Sequence, residues 1–536
     1  MTPGPVDWPT RDPIAHRAAA TPQRTALLDI ETDAAWSFRE FDRRVDRAAA
    51  GLEDAVLELS DSKRGNQQRI GVLMDTRPAF ATLFFAAMRT GVTMVPLNVR
   101  ETTGELAAKA TRTDLAAVVC ERDTEKAALE LAVETGSVGV FTVDEPESDR
   151  TQSLSSETND GGVSDPDSAF ESRSVQPVPL ERDDTQLIMF TSGTSGEPKG
   201  VRLTVGNLVA SATASAFRLG VDPADRWLCC LPMYHMGGLA PVLRSALYGT
   251  PVVIQREFGA ESTARVLEAY DITGVSLVPT MCTRLLEAGW EPADALRFVL
   301  LGGAPASDEL LERCRDADVP VHPTYGMTET ASQIATATPA EIDRHEGTVG
   351  QPLLFTDVSV VDETGATVAP DEQGELVVSG PTVTPGYLDD EHTESAFGER
   401  GLHTGDVGYR DADGRLWILN RRSDRIVTGG ENVDPGEVVA TLRSHPRVDD
   451  AAVVGLPDEE WGERVAALVV PDSETNSGEK LSQSLLSHCD EYLAGFKRPK
   501  TIGIADALPR TASGTVDRDA VRDRLLEGGI DVTGSS

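Results

Sequence analysis

The run Gln186-Leu187-Ile188-Met189-Phe190-Thr191-Ser192-Gly193-Thr194-Ser195-Gly196-Glu197-Pro198-Lys199-Gly200 joins a short apolar strand to a loop of glycine, serine and threonine that closes on a lysine. Glycine lets backbone N–H groups turn toward one point, hydroxyls add donors, and Lys199 adds a mobile positive charge, so the loop suits a phosphate. The spacing is not GxxxxGK[ST], which excludes a Walker A loop. It is not a GxSxG nucleophile elbow either, because Glu197 stands where the last glycine is required. A flexible linker would have no use for lysine, and lysine is scarce. Of 49 basic residues only seven are lysines (63, 109, 126, 199, 480, 497 and 500).

Working outward from that loop, helix-like runs such as Phe38–Glu58 alternate with short apolar strands such as Arg69–Met74 and Thr93–Leu97 over about residues 12–140. Alternation of this kind predicts an α/β domain with parallel strands. Residues 144–184, rich in Ser, Asp, Glu and Gly without periodicity, read as an acidic surface insertion. Over 348–420 shorter β-rich pieces are punctuated by DETG, DEQG and DADG turns. A last unit has strands at Ala451–Gly455 and Val465–Val470 and helices at Leu481–Leu493 and Asp517–Leu526. The 536 residues exceed what one core supports, since cores stop growing near about 250–300 residues.

The net charge of −38 excludes a basic nucleic-acid-binding face and opposes docking on an anionic membrane. An acidic coat with scarce lysine resembles proteins of salt-in halophilic archaea, where concentrated cations screen self-repulsion. The six cysteines show no CxxC pair and no metal-ligand spacing, which predicts idle thiols in a reducing compartment. The apolar stretch Phe80–Met88 is stopped by Arg89, too short to span a bilayer, and residues 1–12 lack the pattern of a signal peptide. A cytoplasmic protein without membrane insertion is the expectation.

Further blocks follow the loop in order. They are PMYHMGG (232–238), LGGAP (301–305), YGMTE (325–329), HTGD (403–406), NRRSD (420–424), GGEN (429–432) and FKRPK (496–500). Tyr325 offers an aromatic face for a purine, Thr328 a hydroxyl for a phosphate and Glu329 a carboxylate for a hard cation. Together with TSGTSGEPKG, these blocks resemble the adenylate-forming superfamily of acyl-CoA synthetases, peptide-synthetase adenylation domains and luciferases, along essentially the whole chain.

The resemblance implies a large N-terminal α/β domain with a β-rich subdomain (1–422), a small mobile α+β C-terminal domain (423–536) and an active site between them. It implies ATP, Mg²⁺ and coenzyme A, with a small carboxylic acid as the other partner. By resemblance, Thr191, Ser192, Gly193, Thr194, Ser195, Gly196 and Lys199 hold phosphates. Thr328 touches the α-phosphate and Glu329 binds Mg²⁺. Gly302, Gly303, Ala304, Tyr325 and Gly326 border adenine, and Asp406 with Arg421 grips the ribose side. His235, which taken alone reads as a core histidine, gates the acyl site. An oxyanion hole of a hydrolase at HMGG lacks its elbow serine.

Two positions depart from the family. Its C-terminal PR-T-x-S/T-G-K block ends here in Thr515, so the lysine that bridges acyl carboxylate and phosphate is absent. Asn420 stands where glycine is frequent. Loss of one positive clamp costs about 10²–10³ in rate. Arg510, Arg518, Lys497 and Lys500 are the candidate replacements, or the first half-reaction has been weakened. For substrate, Ser276–Met281 and Pro323–Gln333 most resemble 2-succinylbenzoate–CoA ligases of menaquinone synthesis, with a helix start bearing Ser332 and Gln333 placed to bond a second carboxylate or keto group. A fatty or aromatic acyl-CoA synthetase, or a nucleotide- or acyl-binding homologue impaired in adenylation, are the alternatives.

Overall fold

The structure is a computed structural model that describes residues 11–59, 68–136, 138–154, 175–191, 198–421, 426–428, 431–433, 435–458, 461–472, 478–511 and 516–532. Its chain forms two compact units, residues 1–357 with 378–402, and residues 358–377 with 403–536.

Two large sheets make the first unit. One runs in the order Ser332–Thr336, Val321–Met327, Phe298–Leu301, Gly274–Leu277, Trp227–Cys229, Val252–Ile254, Thr25–Asp29 and Ala34–Ser37. Its interior pairs are parallel and its two ends are antiparallel hairpins. The other runs Gln152–Ser153, Gly139–Thr142, Ala117–Cys120, Arg69–Leu73, Thr93–Pro96, Thr185–Thr191 and Lys199–Thr204. Parallel strands covered by helices are buried on both faces, which explains continuous apolar runs such as Ala117–Cys120 and Phe298–Leu301, every residue of which is buried. The expected strands at 69–74, 93–97 and 186–190 and the helix at 38–58 are present, the last as Phe38–Leu59.

Arg89, which reads as the polar stop of an apolar helix, is only 2% exposed. Its guanidinium meets Asp12 through Nε and Nη2 at 3.0 Å each, Asp42 at 2.6 Å and Asp46 at 2.5 Å. Asp12 also caps the helix Pro13–Ala20. Three carboxylates around one buried cation fasten that helix to Phe38–Leu59 and Pro78–Thr90. Of the expected acidic insertion, residues 155–174 lie outside the described ones, while Leu154, Val175 and Leu180 on its flanks are buried in the core.

The second unit carries most of a small sheet built on Asp357–Val361, Gly374–Ser379, Gly401–Arg410 and Leu416–Arg421, and a C-terminal sheet in the order Glu431–Val433, Ile426–Thr428, Gly462–Pro471, Thr501–Ile504 and Ile530–Asp531. The strands expected near 451–455 and 465–470 are the long antiparallel pair Val448–Asp458 and Gly462–Pro471. The helices expected nearby form as Gly478–Tyr492 and Arg518–Gly528.

Candidate functional site

Thr191 ends the strand Thr185–Thr191 and faces Lys199, the first residue of the antiparallel return. Ser192, Gly193, Thr194, Ser195 and Gly196 between them lie outside the described residues. Lys199 Nζ stands 5.2 Å from the centre of the Tyr387 ring, and the Tyr387 hydroxyl donates to Glu329 Oε1 at 3.0 Å. Tyr387 and Glu329 are buried, at 4% and 6% exposure. Burial, and then the Glu329 carboxylate, push the phenol pKa far up, so Tyr387 stays a donor. Two of the predicted residues, Lys199 and Glu329, are thus linked through a third that the sequence blocks did not mark.

Tyr387 is held tightly. Arg202 N donates to Gly386 O at 3.1 Å, Leu388 N to Gly200 O at 2.7 Å, and Tyr387 N to Thr393 Oγ1 at 2.9 Å. Thr384 N donates to Glu329 O at 2.7 Å, fastening the same segment to the residue whose side chain Tyr387 binds. The signal that could have found Tyr387 is a Pro-Gly-Tyr step in a chain with only seven tyrosines.

Thr328 and Glu329 open a single 3₁₀ turn, Thr328–Thr330, after the strand Val321–Met327. Ala331 (φ 51°) and Ser332 (φ 121°) then take left-handed backbone, and the chain reverses into the strand Ser332–Thr336. The expected helix start at Ser332 and Gln333 is therefore absent. Gln333 is buried and its Nε2 donates to Thr336 Oγ1 at 2.7 Å, so its amide serves the hairpin. Gly326 makes this hairpin possible, since a Cβ there would lie 1.7 Å from Ser332 O. Half-buried Tyr325 pairs in register with Ala335.

Gly302, Gly303 and Ala304 follow the strand Phe298–Leu301, next in the sheet to Val321–Met327. Gly303 takes φ +80°, a conformation that side chains rarely adopt. His235 occupies the N-cap position of the helix Met236–Tyr248 without a side-chain cap bond, and meets Tyr234 edge to face at 4.9 Å. Among the described residues its Nε2 has no hydrogen-bond partner. Burial first, then Lys109 and Arg100, lower its pKa to about 4. A folded pKa below the unfolded value near 6.5 means that unfolded chains bind the extra proton. His235 therefore contributes stability above about pH 6.5 that is lost as pH falls toward 4, up to about 3 kcal/mol. Urea unfolding of the wild type and His235→Asn at pH 7 and pH 5 should show the wild type losing more; equal losses would refute this.

Within the second unit, Arg421 Nε donates to Asp406 Oδ1 at 3.1 Å across directly paired strand positions. Asp406 is 5% exposed and its N–H donates to Thr404 Oγ1 at 3.0 Å. The candidate replacement cations in this unit all have partners. Arg510 reaches Asp450 at 2.8 Å, Lys497 reaches Glu437 at 2.6 and 2.7 Å, Lys500 lies 3.5 Å over the Trp461 ring, and Arg518 donates to Val453 O at 3.3 Å. Thr515 lies outside the described residues.

Among the described residues no three His, Cys, Asp or Glu side chains gather as a metal cage. Mg²⁺ is commonly held by one or two carboxylates with substrate phosphates and water, so the single buried carboxylate of Glu329 fits that ion. All six cysteines are buried free thiols, as expected. No helix among the described residues is long and apolar enough to cross a membrane.

The chain is similar to known proteins along nearly its whole length. A 2-succinylbenzoate–CoA ligase of Bacillus pumilus is 34% identical over 512 residues, covering 95% of this chain and 97% of its own. One from Bacillus thuringiensis is 35% identical over 518 residues, covering 96% and 98%. The solved o-succinylbenzoate CoA synthetase of Bacillus subtilis, in complex with the acyl-adenylate intermediate OSB-AMP, superposes with a TM-score of 0.83 at 32% identity, covering 96% of this chain and 98% of that one. The same enzyme in complex with ATP and magnesium ion gives 0.82 at 32%, covering 96% and 99%. Residues 14–388 match the AMP-binding enzyme model and residues 437–515 the AMP-binding enzyme C-terminal domain. This chain belongs to the AMP-binding enzyme family.

Proposed function

We propose that the protein is an ATP-dependent, AMP-forming carboxylate–CoA ligase that converts 2-succinylbenzoate to 2-succinylbenzoyl-CoA in menaquinone biosynthesis. The observation that carries the reading is near-complete coverage of relatives bearing that name, at about a third identity, with the Lys199–Tyr387–Glu329 group in place. In the first half-reaction a carboxylate oxygen attacks the α-phosphorus of ATP and the bond to pyrophosphate breaks. In the second, the coenzyme A thiolate attacks the acyl carbonyl and AMP departs.

The chain's own residues divide this work. Thr191, Ser192, Gly193, Thr194, Ser195 and Gly196 offer backbone and hydroxyl donors to phosphate, and Lys199 adds charge where negative charge develops. Tyr387, kept protonated, fixes one Glu329 oxygen. Glu329 would hold Mg²⁺, which when bound offsets phosphate charge. Thr328 bonds the α-phosphate, Gly302, Gly303, Ala304, Tyr325 and Gly326 flank adenine, Asp406 with Arg421 takes the ribose, and neutral His235 borders the acyl group. The working division falls at 422/423.

Pyrophosphate release with a panel of carboxylic acids in molar KCl tests the reading. 2-Succinylbenzoate should be preferred, and preference for a fatty or aromatic acid would move the assignment to those ligases. A second reading rests on Thr515: a nucleotide- or acyl-binding homologue impaired in adenylation, for which no acid would release pyrophosphate above background.

We also place the protein in the cytoplasm of a halophile. Of 87 acidic residues only Asp12, Asp29, Glu121, Glu125, Glu329, Glu375 and Asp406 are buried among those described, so the excess charge faces solvent. Activity and thermal midpoint should both rise from low to molar KCl as repulsion is screened. A protein equally stable at both extremes would sink this placement.

A further inference from the structure

The helix Thr103–Thr113 reaches the hairpin that carries Lys199 through two side chains three positions apart, which places them on one helix face. Lys109 Nζ stands 5.2 Å from the centre of the Phe190 ring, and the Arg112 guanidinium carbon 5.7 Å from the same centre. Lys109 is held by Glu101. Arg112 has no carboxylate partner among the described residues, and its Nη1 donates instead to Pro198 O at 2.6 Å. The helix that presents both side chains is fixed at its start by reciprocal bonds between Thr102 and Glu105.

The two grips of Arg112 fall on the two strands of the hairpin, at its loop end. Phe190 lies on the outgoing strand directly before Thr191, and Pro198 lies directly before Lys199 where the return begins. Thr191 with Lys199 is the last pair of the ladder, and Pro198 has no N–H with which to extend it. Arg112 therefore supplies from outside the sheet the bond that holds the next residue. The ring lies close to the return strand as well, since a Cβ on Gly200 would stand 3.4 Å from Phe190 Cε1. Lys199 sits between these two held points, with its ammonium beside the Tyr387 ring.

We propose that Arg112 is a positioning residue for adenylation. It clamps both strands where Lys199 leaves them, and so fixes where the ammonium meets the phosphates of ATP. This role rests on the ATP-dependent ligation proposed above. Arg112 acts through the backbone of Pro198 and the ring of Phe190, and its effect reaches the reaction through Lys199.

A double-mutant cycle on the full chain tests this, read by single-turnover pyrophosphate release from ATP and 2-succinylbenzoate. Arg112→Met keeps the stem and removes both grips, and should slow that step about 10–100-fold, the scale of a misplaced group. Thioester formation from preformed acyl-AMP should not change. In the Lys199→Ala background the same substitution should cost almost nothing more, because the residue it positions is already gone. An undiminished loss in that background, or equal slowing of both half-reactions, would mean a general structural role and overturn the proposal, as would wild-type rates in Arg112→Met. If Arg112→Met does not fold, Phe190→Leu removes the ring, keeps an apolar side chain and decides by the same cycle. If the wild type releases pyrophosphate with no acid, the ligase reading falls, and the cycle is read on ATP binding by titration calorimetry. There Arg112→Met should bind ATP more weakly than the wild type, and equal affinity would overturn the clamp.

Discussion

Lys199→Ala is expected to slow acyl-adenylate formation about 10²–10³-fold, the usual cost of removing one group aimed at developing charge. The fold should be left almost untouched. Lys199 begins a strand whose backbone pairs with Thr191 whatever the side chain, and its ammonium stands 5.2 Å from the centre of the Tyr387 ring. A cation–π contact of that kind is worth about 0.5–1 kcal/mol, a shift of no more than a few degrees in this chain. Single-turnover release of pyrophosphate from ATP and 2-succinylbenzoate, set beside calorimetric unfolding, separates the two effects. Wild-type kinetics in the variant would remove Lys199 from the mechanism. Tyr387 remains in the variant, so the bond to Glu329 survives and the loss reports the charge alone.

Thr515→Lys should work in the opposite direction. The first half-reaction is expected to gain up to about 10²–10³-fold, because a hydroxyl cannot offset charge on the pentavalent phosphorus. Thioester formation from preformed acyl-AMP should barely change, since the family's lysine serves the first step. The partners of the candidate replacement cations favour a gain: Arg510 is occupied by Asp450, Lys497 by Glu437, and Lys500 by the Trp461 ring. A slower variant would mean that Arg510 or Lys500 already supplies the charge and is repelled by a second cation. If neither protein forms acyl-AMP with any acid, the ligase assignment falls.

The parallel strands were readable because burial on both faces leaves apolar runs that need no knowledge of their partners, as at Arg69–Leu73 and Thr93–Pro96. The sequence blocks likewise marked Lys199 and Glu329, though not their connection. Tyr387 lies 58 residues beyond Glu329 and meets it only through tertiary packing, which local chemistry does not report. Ser332 and Gln333 misled for a different reason. Thr and Glu after a strand suggest a helix start, but positive φ at Ala331 and Ser332 turns the chain back into a hairpin. Leu154, Val175 and Leu180 were hidden in a polar stretch whose composition outweighed three apolar anchors.

The cage around Arg89 fixes how much of the amino terminus can be dispensed with. A chain shortened to begin at Arg11 keeps all three carboxylates around the guanidinium. Beginning one residue after Asp12 deletes both a helix cap and the ligand that grips Arg89 through two nitrogens. Arg89 then keeps only the more exposed Asp42 and Asp46, and leaving buried N–H donors without their acceptor costs about 1–3 kcal/mol, a sizeable share of the stability of an ordinary domain. Expression trials with staggered start sites should therefore meet a cliff between Asp12 and Pro13 instead of a gradual decline in yield.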